Sequence, residues 1–512
     1  MSGIGLHILI ALAVLGGLLV AKQISEFDMS RTKPHRKSKH QENWGTIRSL
    51  TCLRIDGPTR GRLILGRIWS SHGSLAVVLW QEVILKWLST LSKRPDPTLL
   101  AAEKNHSVMI IGPTQSYKTS GLAIPAILEW EGPVVAVSVK SDLSQATYDY
   151  RALSGSTYVF DPCGVTGLNG LGWSPLDYCS SWVGARRAAH SLAHSSPSNG
   201  LEDSEFWYGT ASKLLAPLLF AGANAKLTMA DIVRWVDTQE IQEIDEILAR
   251  VGCEQARNAA WASFGRDAKQ KSSVYTTAET VLEAFGDPEI GSVGIGEGFD
   301  PHSLLHGGSN TLYICAPSHE QARLRPMFCC LLGQILDLAF MKAQDDGGSL
   351  VEPLLIVIDE AANIAPIDNL DTIASTGASH SIQLLTVWQD ISQIKARYGK
   401  KADSILNNHR AKIVLSGVSD IDTLEYVSRL AGETTSSIPT YSKDHKGGHS
   451  VTYQPSKTPL ASHSFIRQIQ PGSGILFYGH LPATQIKLRP WYEEPTLIES
   501  TCQARNARAP KS

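Results

Sequence analysis

The chain has 512 residues, of which 43% are hydrophobic and 19% are charged, and its formal net charge at pH 7 is −2. This composition excludes a disordered polyelectrolyte and is typical of a globular protein of two or three domains. The near-neutral total gives no bulk electrostatic case for nucleic acid, so any DNA contact must come from local patches or a pore built by several subunits. The eight cysteines and 16 histidines lack metal-ligand spacing, and free thiols in a reducing compartment are predicted.

The N-terminus predicts a membrane anchor over residues 1–22. Ile4–Val20 is an apolar run that would span about 25 Å as a helix, at the short end of membrane-spanning length. A basic segment follows it, and no positive charge precedes it, which argues against a cleaved signal peptide. The positive-inside rule then predicts a single-pass plasma-membrane protein whose bulk is cytoplasmic. A second apolar stretch, Ser74–Leu91, contains Glu82 and Lys86, so an amphipathic or core helix is favoured there over a second span.

Short apolar runs that alternate with helical periodicity predict an α/β fold with a parallel sheet. The expected strands are His106–Gly112, Gly132–Val139, Thr157–Asp161, Asn310–Cys315, Leu354–Ile358, Gln383–Val387, Lys412–Ser416 and Gly474–Tyr478. Between about Ser181 and Phe285 the pattern is helical, which predicts an all-alpha insert. The predicted domains are an anchor (1–22), a basic linker and lead-in segment (23–98), the nucleotide-binding domain in two parts (99–180 and 301–495), the insert (181–300) and a basic tail (496–512).

The sharpest motif is the octamer Gly112–Thr119, which follows a predicted strand and opens a predicted helix, as a phosphate-binding loop does. Backbone N–H groups at a helix N-terminus favour anionic phosphates. Lys118 would reach the β- and γ-phosphates of ATP, and Thr119 would offer its hydroxyl to Mg²⁺. The predicted nucleotide-binding residues are Gly112, Pro113, Thr114, Gln115, Ser116, Tyr117, Lys118, Thr119, Ser120 and Asp359.

Tyr117 departs from the phosphate-loop pattern, because it occupies the position of the second glycine. That glycine lets the backbone curl tightly against phosphate without a Cβ. A tyrosine there is expected either to strain the loop or to open it, which puts nucleotide affinity and turnover in question.

A second motif predicts the acidic half of the site. The apolar strand before Asp359 and Glu360 ends in these two acids, the Walker B pattern, and its carboxyl end would face the phosphate loop. Asp359, with Thr119, would hold Mg²⁺, and Glu360 would polarise the attacking water. Gln389 ends another strand and would sense the γ-phosphate. Glu360, Lys118 and Gln389 are therefore the predicted catalytic residues. The alternatives are a chance loop around Lys118, two surface acids that cap the following helix, and a surface glutamine at a strand end.

Two polar groups precede later strands. Gly377, Ser379 and His380 lie before one strand, and Asn407–Arg410 precedes the next. They would line a nucleotide edge or a DNA pore, or else lie in solvated loops.

With these motifs in place, the chain resembles type IV secretion system coupling proteins, the TraG/TraD-like conjugative DNA-transfer P-loop ATPases, in the actinobacterial style. The match runs from about Leu99 to Tyr492. Besides the two Walker motifs, the shared segments are Ser138–Leu143, Val159–Pro162, Phe206–Tyr208, Lys213–Pro217, Tyr275–Thr277, Gln321–Pro326, Thr386–Asp390, Asn407–His409 and Gly479–Pro482.

The resemblance implies a RecA-like P-loop NTPase core, an inserted all-alpha domain that recognises the relaxosome or another substrate, an N-terminal transmembrane helix and a homo-hexamer. ATP and Mg²⁺ would lie between subunits, and single-stranded DNA with its relaxase would be led to the type IV secretion channel. Some relatives supply an arginine in trans before the sensor glutamine, but Ser375–His380 contains none. His380, Arg397 and Arg410 are the possible substitutes.

Three functions remain open at this stage. The first is a membrane-anchored ATPase that couples conjugative DNA to the channel and drives its translocation. The second is a catalytically weak nucleotide-binding receptor or scaffold that recruits DNA–protein substrate for another motor. The third is another FtsK/HerA-like DNA pump. The helical insert favours a coupling protein over such a pump, because substrate selection needs a dedicated surface.

Overall fold

The computed structural model describes residues 44–68, 97–195, 204–364, 367, 369–443 and 449–508. Twelve strands form one sheet in the order β1-β3-β2-β14-β13-β10-β4-β9-β8-β5-β7-β6, and β11 and β12 form a separate hairpin. The strands are β1 Arg54–Ile55, β2 Ile64–Ile68, β3 Thr98–Ala101, β4 Val108–Ile111, β5 Val134–Ser138, β6 Thr157–Phe160, β7 Thr311–Cys315, β8 Leu354–Ile358, β9 Ile382–Trp388, β10 Ala411–Leu415, β11 Glu433–Lys443, β12 His449–Pro459, β13 Ser473–Tyr478 and β14 Thr484–Lys487.

Seven consecutive strands of the sheet, from β10 to β6, run parallel to one another. β4, β5, β7, β8 and β9 are buried at every position, as expected for parallel strands that are covered by helices on both faces. The eight predicted strands are all present, and the RecA-like α/β class is confirmed. The run Leu354–Ile358 illustrates why: five consecutive aliphatic residues leave no polar face, so only the middle of a sheet accommodates them.

Helices connect the strands on both faces of the sheet. They are α1 Ile124–Leu128, α2 Asp142–Ser154, α3 Trp182–Ala193, α4 Ser204–Asn224, α5 Met229–Asp237, α6 Gln242–Val251, α7 Glu254–Phe264, α8 Ala268–Leu282, α9 Pro288–Gly291, α10 Pro301–Leu304, α11 Gln321–Asp345, α12 Leu370–Thr376, α13 Ile391–Tyr398, α14 Ala402–Asn408, α15 Ile421–Ala431, α16 His463–Arg467 and α17 Pro495–Arg508. A π-helical turn, Thr119–Ala123, leads into α1.

The segment between β6 and β7 contains only helices among its described residues, from α3 to α10. Three of them, α5, α6 and α7, pack against the long helix α4 or its neighbours and bury one face each. A capping box stabilises the N-terminus of α5, where Thr228 and Asp231 form hydrogen bonds between the side chain of one and the backbone of the other. The helical character expected for this region is therefore observed.

Helix α11 is the one described helix that is long and apolar enough to cross a membrane. Within its most apolar 18-residue stretch, 67% is buried inside the protein, and the helix packs along α3. Burial of this kind is expected for a core helix of an α/β domain. The predicted anchor over residues 1–22 and the apolar stretch Ser74–Leu91 lie outside the described residues.

Two terminal regions differ from the sequence-based expectation. The lead-in segment is not merely a linker, because β1, β2 and β3 extend the sheet through antiparallel pairs beyond β14. The segment expected to be a basic tail instead forms the helix α17 as far as Arg508, and this helix packs against α2. In both places the elements are held by contacts with distant parts of the main body, and their own sequences carry only a weak periodic signal.

The hairpin β11–β12 is a compact unit separate from the main body, which consists of Trp44–Gly432 and Ala461–Ser512. Eleven residue pairs join the two strands, from Glu433 opposite Pro459 to Lys443 opposite His449. The sequence did not predict these strands. Serine, threonine and proline dominate both, so the apolar alternation that normally indicates a strand is missing.

Candidate nucleotide-binding site

The carboxyl ends of three neighbouring strands, β4, β9 and β8, form the edge that carries the predicted site. The octamer Gly112–Thr119 follows β4, Gln389 follows β9, and Asp359 and Glu360 follow β8. The backbone N–H of Gly112 donates to the carbonyl of Trp388 over 3.1 Å, which ties the start of the loop to the end of β9. The strand β9, which ends at Gln389, thus lies between the two strands that carry the Walker motifs.

The loop backbone turns through two residues in the left-handed region, Gln115 with φ of 62° and Tyr117 with φ of 68°. The carbonyl of Tyr117 then accepts a hydrogen bond from Gly121 N at 2.8 Å, which starts the helix. Inside the turn, Ser116 Oγ donates to the carbonyl of Pro113 at 2.7 Å. The loop therefore keeps its closed turn and is not opened by the tyrosine.

Tyr117 adopts the backbone conformation for which glycine is ordinarily required. A left-handed conformation costs a residue with a Cβ about 1–2 kcal/mol, so the strained alternative raised by the sequence is the one observed. The ring is partly buried and packs against the hydrophobic core. Beside it, a Cβ added to Gly121 would lie 3.2 Å from Leu488 Cβ, so the helix passes close to the segment after β14. This packing offsets part of the strain.

Lys118 lies within the loop. Its Nζ donates to the carbonyls of Gly112 and Pro113, the latter at 2.9 Å. Burial lowers the pKa of Lys118, while the charges of Asp359 and Glu360 act in the opposite direction. An ammonium held by neutral carbonyls in a partly buried position is a site where a phosphate oxygen can replace those acceptors.

Thr119 and Asp359 are in direct contact across the loop. Thr119 Oγ1 donates to Asp359 Oδ2 at 2.9 Å. Asp359 is only 7% exposed, and burial raises the pKa of its carboxyl, against the opposing effects of the Thr119 hydrogen bond and the Lys118 charge. A hydroxyl and a carboxylate paired in this way are the oxygen ligands that Mg²⁺ takes from P-loop proteins.

Glu360 stands beside this pair with a backbone φ of 67°. Its carbonyl accepts a hydrogen bond from Asn363 N at 3.0 Å, so the chain turns sharply immediately after β8. Gln389 is half-buried at the end of β9, and its backbone N–H donates to Gln393 Oε1 at 3.3 Å. The structure therefore brings the predicted catalytic residues Lys118, Glu360 and Gln389 to one edge of the sheet.

Two charged residues at this edge were missing from the sequence-predicted site. Lys140 follows β5, and its charge acts on both Lys118 and Asp359. Asp390 follows Gln389; its charge acts on Lys118, and its Oδ1 accepts a hydrogen bond from Gln393 N at 2.8 Å at the start of α13. The rule that selected Asp359, a polar residue just beyond the carboxyl end of a buried parallel strand, would also have found these two.

The residues present suit a nucleoside triphosphate with Mg²⁺. A Cβ added to Gly112 would lie 2.7 Å from Ser116 Oγ and 2.9 Å from Leu415 Cβ, so the loop can be this tight only because the residue is glycine. The backbone N–H groups of the loop and Lys118 supply donors for phosphate, and Thr119 and Asp359 supply oxygens for the metal. No cluster of three or more His, Cys, Asp or Glu side chains that could hold another metal occurs among the described residues.

The polar groups before β9 and β10 are placed differently. They lie at the amino ends of their strands, whereas the loop lies at the carboxyl ends, so they do not line the nucleotide edge. His380 packs edge-on against Phe340, and His409 is completely buried, with hydrogen bonds to Thr386 and the carbonyl of Ile405. His409 is therefore a core residue and not part of a solvated loop or a pore.

The three possible substitutes for a trans-acting arginine are also separated. His380 and Arg410 lie at the amino edge, and Arg410 approaches Gly479. Arg397 lies in α13, after the carboxyl end of β9, where its Nη2 donates to the carbonyl of Ser195 at 3.1 Å. Arg397 is thus the one of the three whose helix begins at the carboxyl edge of the sheet.

Solved structures share this fold. The bacterial conjugative coupling protein TrwBdeltaN70, in an unbound form, superposes with a TM-score of 0.59 over 76% of this chain and 86% of that one, at 18% sequence identity. The plasmid coupling protein TrwB in complex with ADP and Mg²⁺ gives a TM-score of 0.56 over 75% of this chain and 85% of that one, at 17% identity. At such identities the likeness establishes the fold alone.

Sequence comparison places the chain in a family. It is 27% identical over 356 residues to a conjugal transfer protein TraG of Escherichia coli, which covers 64% of this chain and 55% of TraG. It is 21% identical over 412 residues to protein VirD4 of Rhizobium radiobacter, which covers 78% of this chain and 59% of VirD4. The chain thus spans less than two thirds of the length of these relatives. Residues 78–511 match the family model described as type IV secretory system conjugative DNA transfer, and the chain belongs to that family.

Proposed function

We propose that this chain is a membrane-anchored ATPase that couples conjugative DNA to a type IV secretion channel and drives DNA translocation by ATP hydrolysis. The observation that carries the proposal is the contact between Thr119 and Asp359, beside Lys118, at the carboxyl edge of a RecA-like sheet. Family membership supplies the biological setting. The TrwB complex with ADP and Mg²⁺, on the same fold, supports ATP and Mg²⁺ as ligands.

Each residue has a proposed part in hydrolysis. Lys118 leaves the carbonyls of Gly112 and Pro113 and donates to phosphate oxygens, while the loop N–H groups hold the remaining charge. Thr119 and Asp359 would hold Mg²⁺, which would neutralise charge on the phosphates. Glu360 accepts a proton from the attacking water, and Gln389 orients that water. Lys140, on the neighbouring strand end, adds positive charge toward the same point.

The proposed setting follows from the family and the N-terminal sequence. Residues 1–22 would anchor the chain in the plasma membrane as a single pass, with the bulk in the cytoplasm. The partners would be single-stranded DNA with its relaxase or relaxosome, the components of the secretion channel and five further copies in a homo-hexamer. In such a ring, Arg397 is the residue we would test first as a trans-acting cation, because its helix begins at the edge that carries the nucleotide site.

A second function is favoured by one observation, the left-handed backbone of Tyr117. If its ring or its strain prevents the loop from tightening around phosphate, the chain would be a receptor that recruits DNA–protein substrate without turnover. The two functions share the fold and the location. They differ only in whether ATP is hydrolysed.

The test uses the full-length chain in detergent micelles. ATP hydrolysis is measured with and without single-stranded DNA for the wild type, Lys118→Ala, Tyr117→Gly and the matched control Lys269→Ala, which removes an exposed lysine from α8. DNA-stimulated hydrolysis that is lost in Lys118→Ala and kept in Lys269→Ala would support the motor. A silent wild type that gains activity as Tyr117→Gly would support the receptor. Equal activity in the wild type and Lys118→Ala would exclude this site as its source.

A further inference from the structure

A cavity of about 970 Å³ lies between the helical insert and the motor domain. Its walls come from α3, α4 and α7 of the insert on one side and from α11 and α12 on the other. A molecule in this cavity would contact both parts of the main body at once. α12 begins shortly after the turn that follows Asp359 and Glu360, so the cavity wall is continuous in sequence with the Walker B segment.

The charge of the cavity is strongly one-sided. Four cationic side chains line it, Arg186, Arg187, Lys213 and Arg266, against the single carboxylate of Asp337. Arg187 Nη1 pairs with Asp337 Oδ2 at 3.4 Å, so the lone acid is already engaged. The other three cations make no ion pair within the part of the chain that the structure describes. Since the whole chain is close to neutral, this local excess is a property of the cavity and not of the composition.

Arg266 provides a second, independent observation. Its Nε is buried and makes no hydrogen bond to any described residue. A buried donor of a charged group is costly to leave unbonded, and such groups normally have a partner. An anionic acceptor in the cavity would satisfy this donor.

The neutral part of the lining indicates which anion fits. Much of it consists of small or aliphatic side chains, including Ala216, Leu336 and Ile373. The two large aromatic rings, Trp182 and Phe340, are each packed edge-on against another ring of the protein. Binding of single-stranded nucleic acid usually relies on open aromatic faces for base stacking. An aliphatic surface between cations, which we call the floor of the cavity, instead suits a ligand in which carboxylates flank an apolar side chain.

We propose that this cavity docks an acidic, amphipathic protein segment of a partner, with carboxylates held by Arg186, Lys213 and Arg266 and an apolar side chain on the floor between α4 and α11. The coupling function proposed above gives such a partner its role, as a transferred protein or an accessory that presents one. Peptide binding is measured without nucleotide, so failure of the docking site is distinguishable from failure of the ATPase.

The test measures fluorescence anisotropy of labelled probes with the full-length chain in detergent micelles. The acidic probe is a peptide of glutamates with leucines at helical spacing, about 12 residues and so about 18 Å long as a helix. The neutral probe replaces each Glu with Gln, and the nucleic-acid probe is an oligothymidine of matched charge. Protein-free micelles give the background for the leucine-containing peptides.

The variants isolate the cavity. Arg186→Glu with Lys213→Glu reverses two unpaired cations of the cavity. Arg250→Glu with Lys269→Glu makes the same change in net charge at two exposed sites of the insert that do not line it. Thermal melting confirms that each variant folds, and Arg186→Gln with Lys213→Gln replaces the reversed pair if it does not.

We expect the acidic probe to bind the wild type and the control variant alike, and the cavity variant at least about tenfold more weakly, equivalent to about 1.4 kcal/mol. A lysine version of the probe should recover affinity for the reversed cavity. The proposal is overturned if the cavity and control variants bind the acidic probe equally, or if the wild type does not bind that probe. It is also overturned if the oligothymidine, and not the acidic probe, binds in a way that depends on Arg186 and Lys213.

Discussion

Thr119 donates a hydrogen bond to Asp359 over 2.9 Å, although the two residues are 240 positions apart in the chain. The contact joins the helix after the phosphate loop to the end of β8. It also places a buried carboxylate beside the ammonium of Lys118. Burial raises the pKa of Asp359 and lowers the pKa of Lys118, so it favours the neutral form of each group. Keeping the Asp359 carboxylate and the Lys118 ammonium charged therefore lowers the folding stability. Such an arrangement is expected at a site that binds a charged ligand.

Asp359→Asn should stabilise the nucleotide-free protein at neutral pH while removing Mg²⁺-dependent nucleotide binding. The folded-state pKa of Asp359 is raised above its unfolded value of 3.8, so the folded state binds more protons and the unfolding free energy falls as pH rises through the folded pKa. The gain from Asn should therefore be small near pH 4 and largest above the raised pKa. Urea denaturation of both proteins across this range measures it. A variant that is less stable than the wild type at neutral pH would contradict the expectation.

Tyr117→Val should weaken both the fold and nucleotide binding. A β-branched residue is a poorer fit than tyrosine to a φ of 68°, so we expect a loss of about 1–2 kcal/mol, with a lower melting temperature and weaker ATP binding by calorimetry. Tyr117→Gly relieves the backbone strain but removes the packing of the ring, so its stability should change less than that of the Val variant. Tyr492→Val, at an exposed tyrosine outside the left-handed region, is the control and should be close to neutral.

His409 should make the protein sensitive to acid. Burial lowers its pKa from 6.5 to about 4, so between these values the unfolded state binds a proton that the folded state does not. Its contribution to stability is fully present above about pH 6.5 and is lost as pH falls toward 4, on the order of 3 kcal/mol in total. His409→Gln cannot be protonated, and its stability should vary less steeply over this interval in pH-dependent denaturation. An unchanged slope would assign the acid sensitivity to other groups.

Arg489 should be among the residues whose loss destabilises the main body most. Its guanidinium bonds both oxygens of Glu129, at 2.9 and 2.7 Å, and reaches Glu494 at 3.2 Å, while Arg67 pairs with the same Glu494 at 2.7 Å. Glu129 lies just after α1, so this network also supports the phosphate-loop helix. Arg489→Met leaves two buried carboxylates without their shared partner and should cost about 3–5 kcal/mol in urea denaturation.

The matched control for Arg489 is Arg429, which pairs with Glu425 on the surface of α15 and is 82% exposed in its side chain. Arg429→Met should change stability by less than about 0.5 kcal/mol, because exposed ion pairs are worth little. Combining Arg489→Met with Glu129→Leu should recover part of the loss, because it removes the carboxylate that Arg489→Met leaves without an ion pair, whereas Glu494 keeps its pair with Arg67. Equal effects of Arg489→Met and Arg429→Met would show that the buried network adds nothing.

The sequence by itself determined the parallel strands and the residues at their ends. Apolar runs such as Leu354–Ile358 are too hydrophobic for any place except a covered sheet, and the loop and acid motifs occupy fixed positions after such strands. Those signals are local, since each depends on a few consecutive residues. The family resemblance rested on the order of the same short segments.

Only the tertiary structure decided what depends on distant neighbours. Strand direction placed His380 and His409 at the edge opposite the phosphate loop, and burial by surrounding elements made His409 a core residue. Core packing around Tyr117 holds a conformation that its residue type disfavours. The cationic cavity joins helices that are up to about 190 positions apart, so no window of sequence contains it. Local propensity sets which elements form, whereas long-range packing sets which side chains meet.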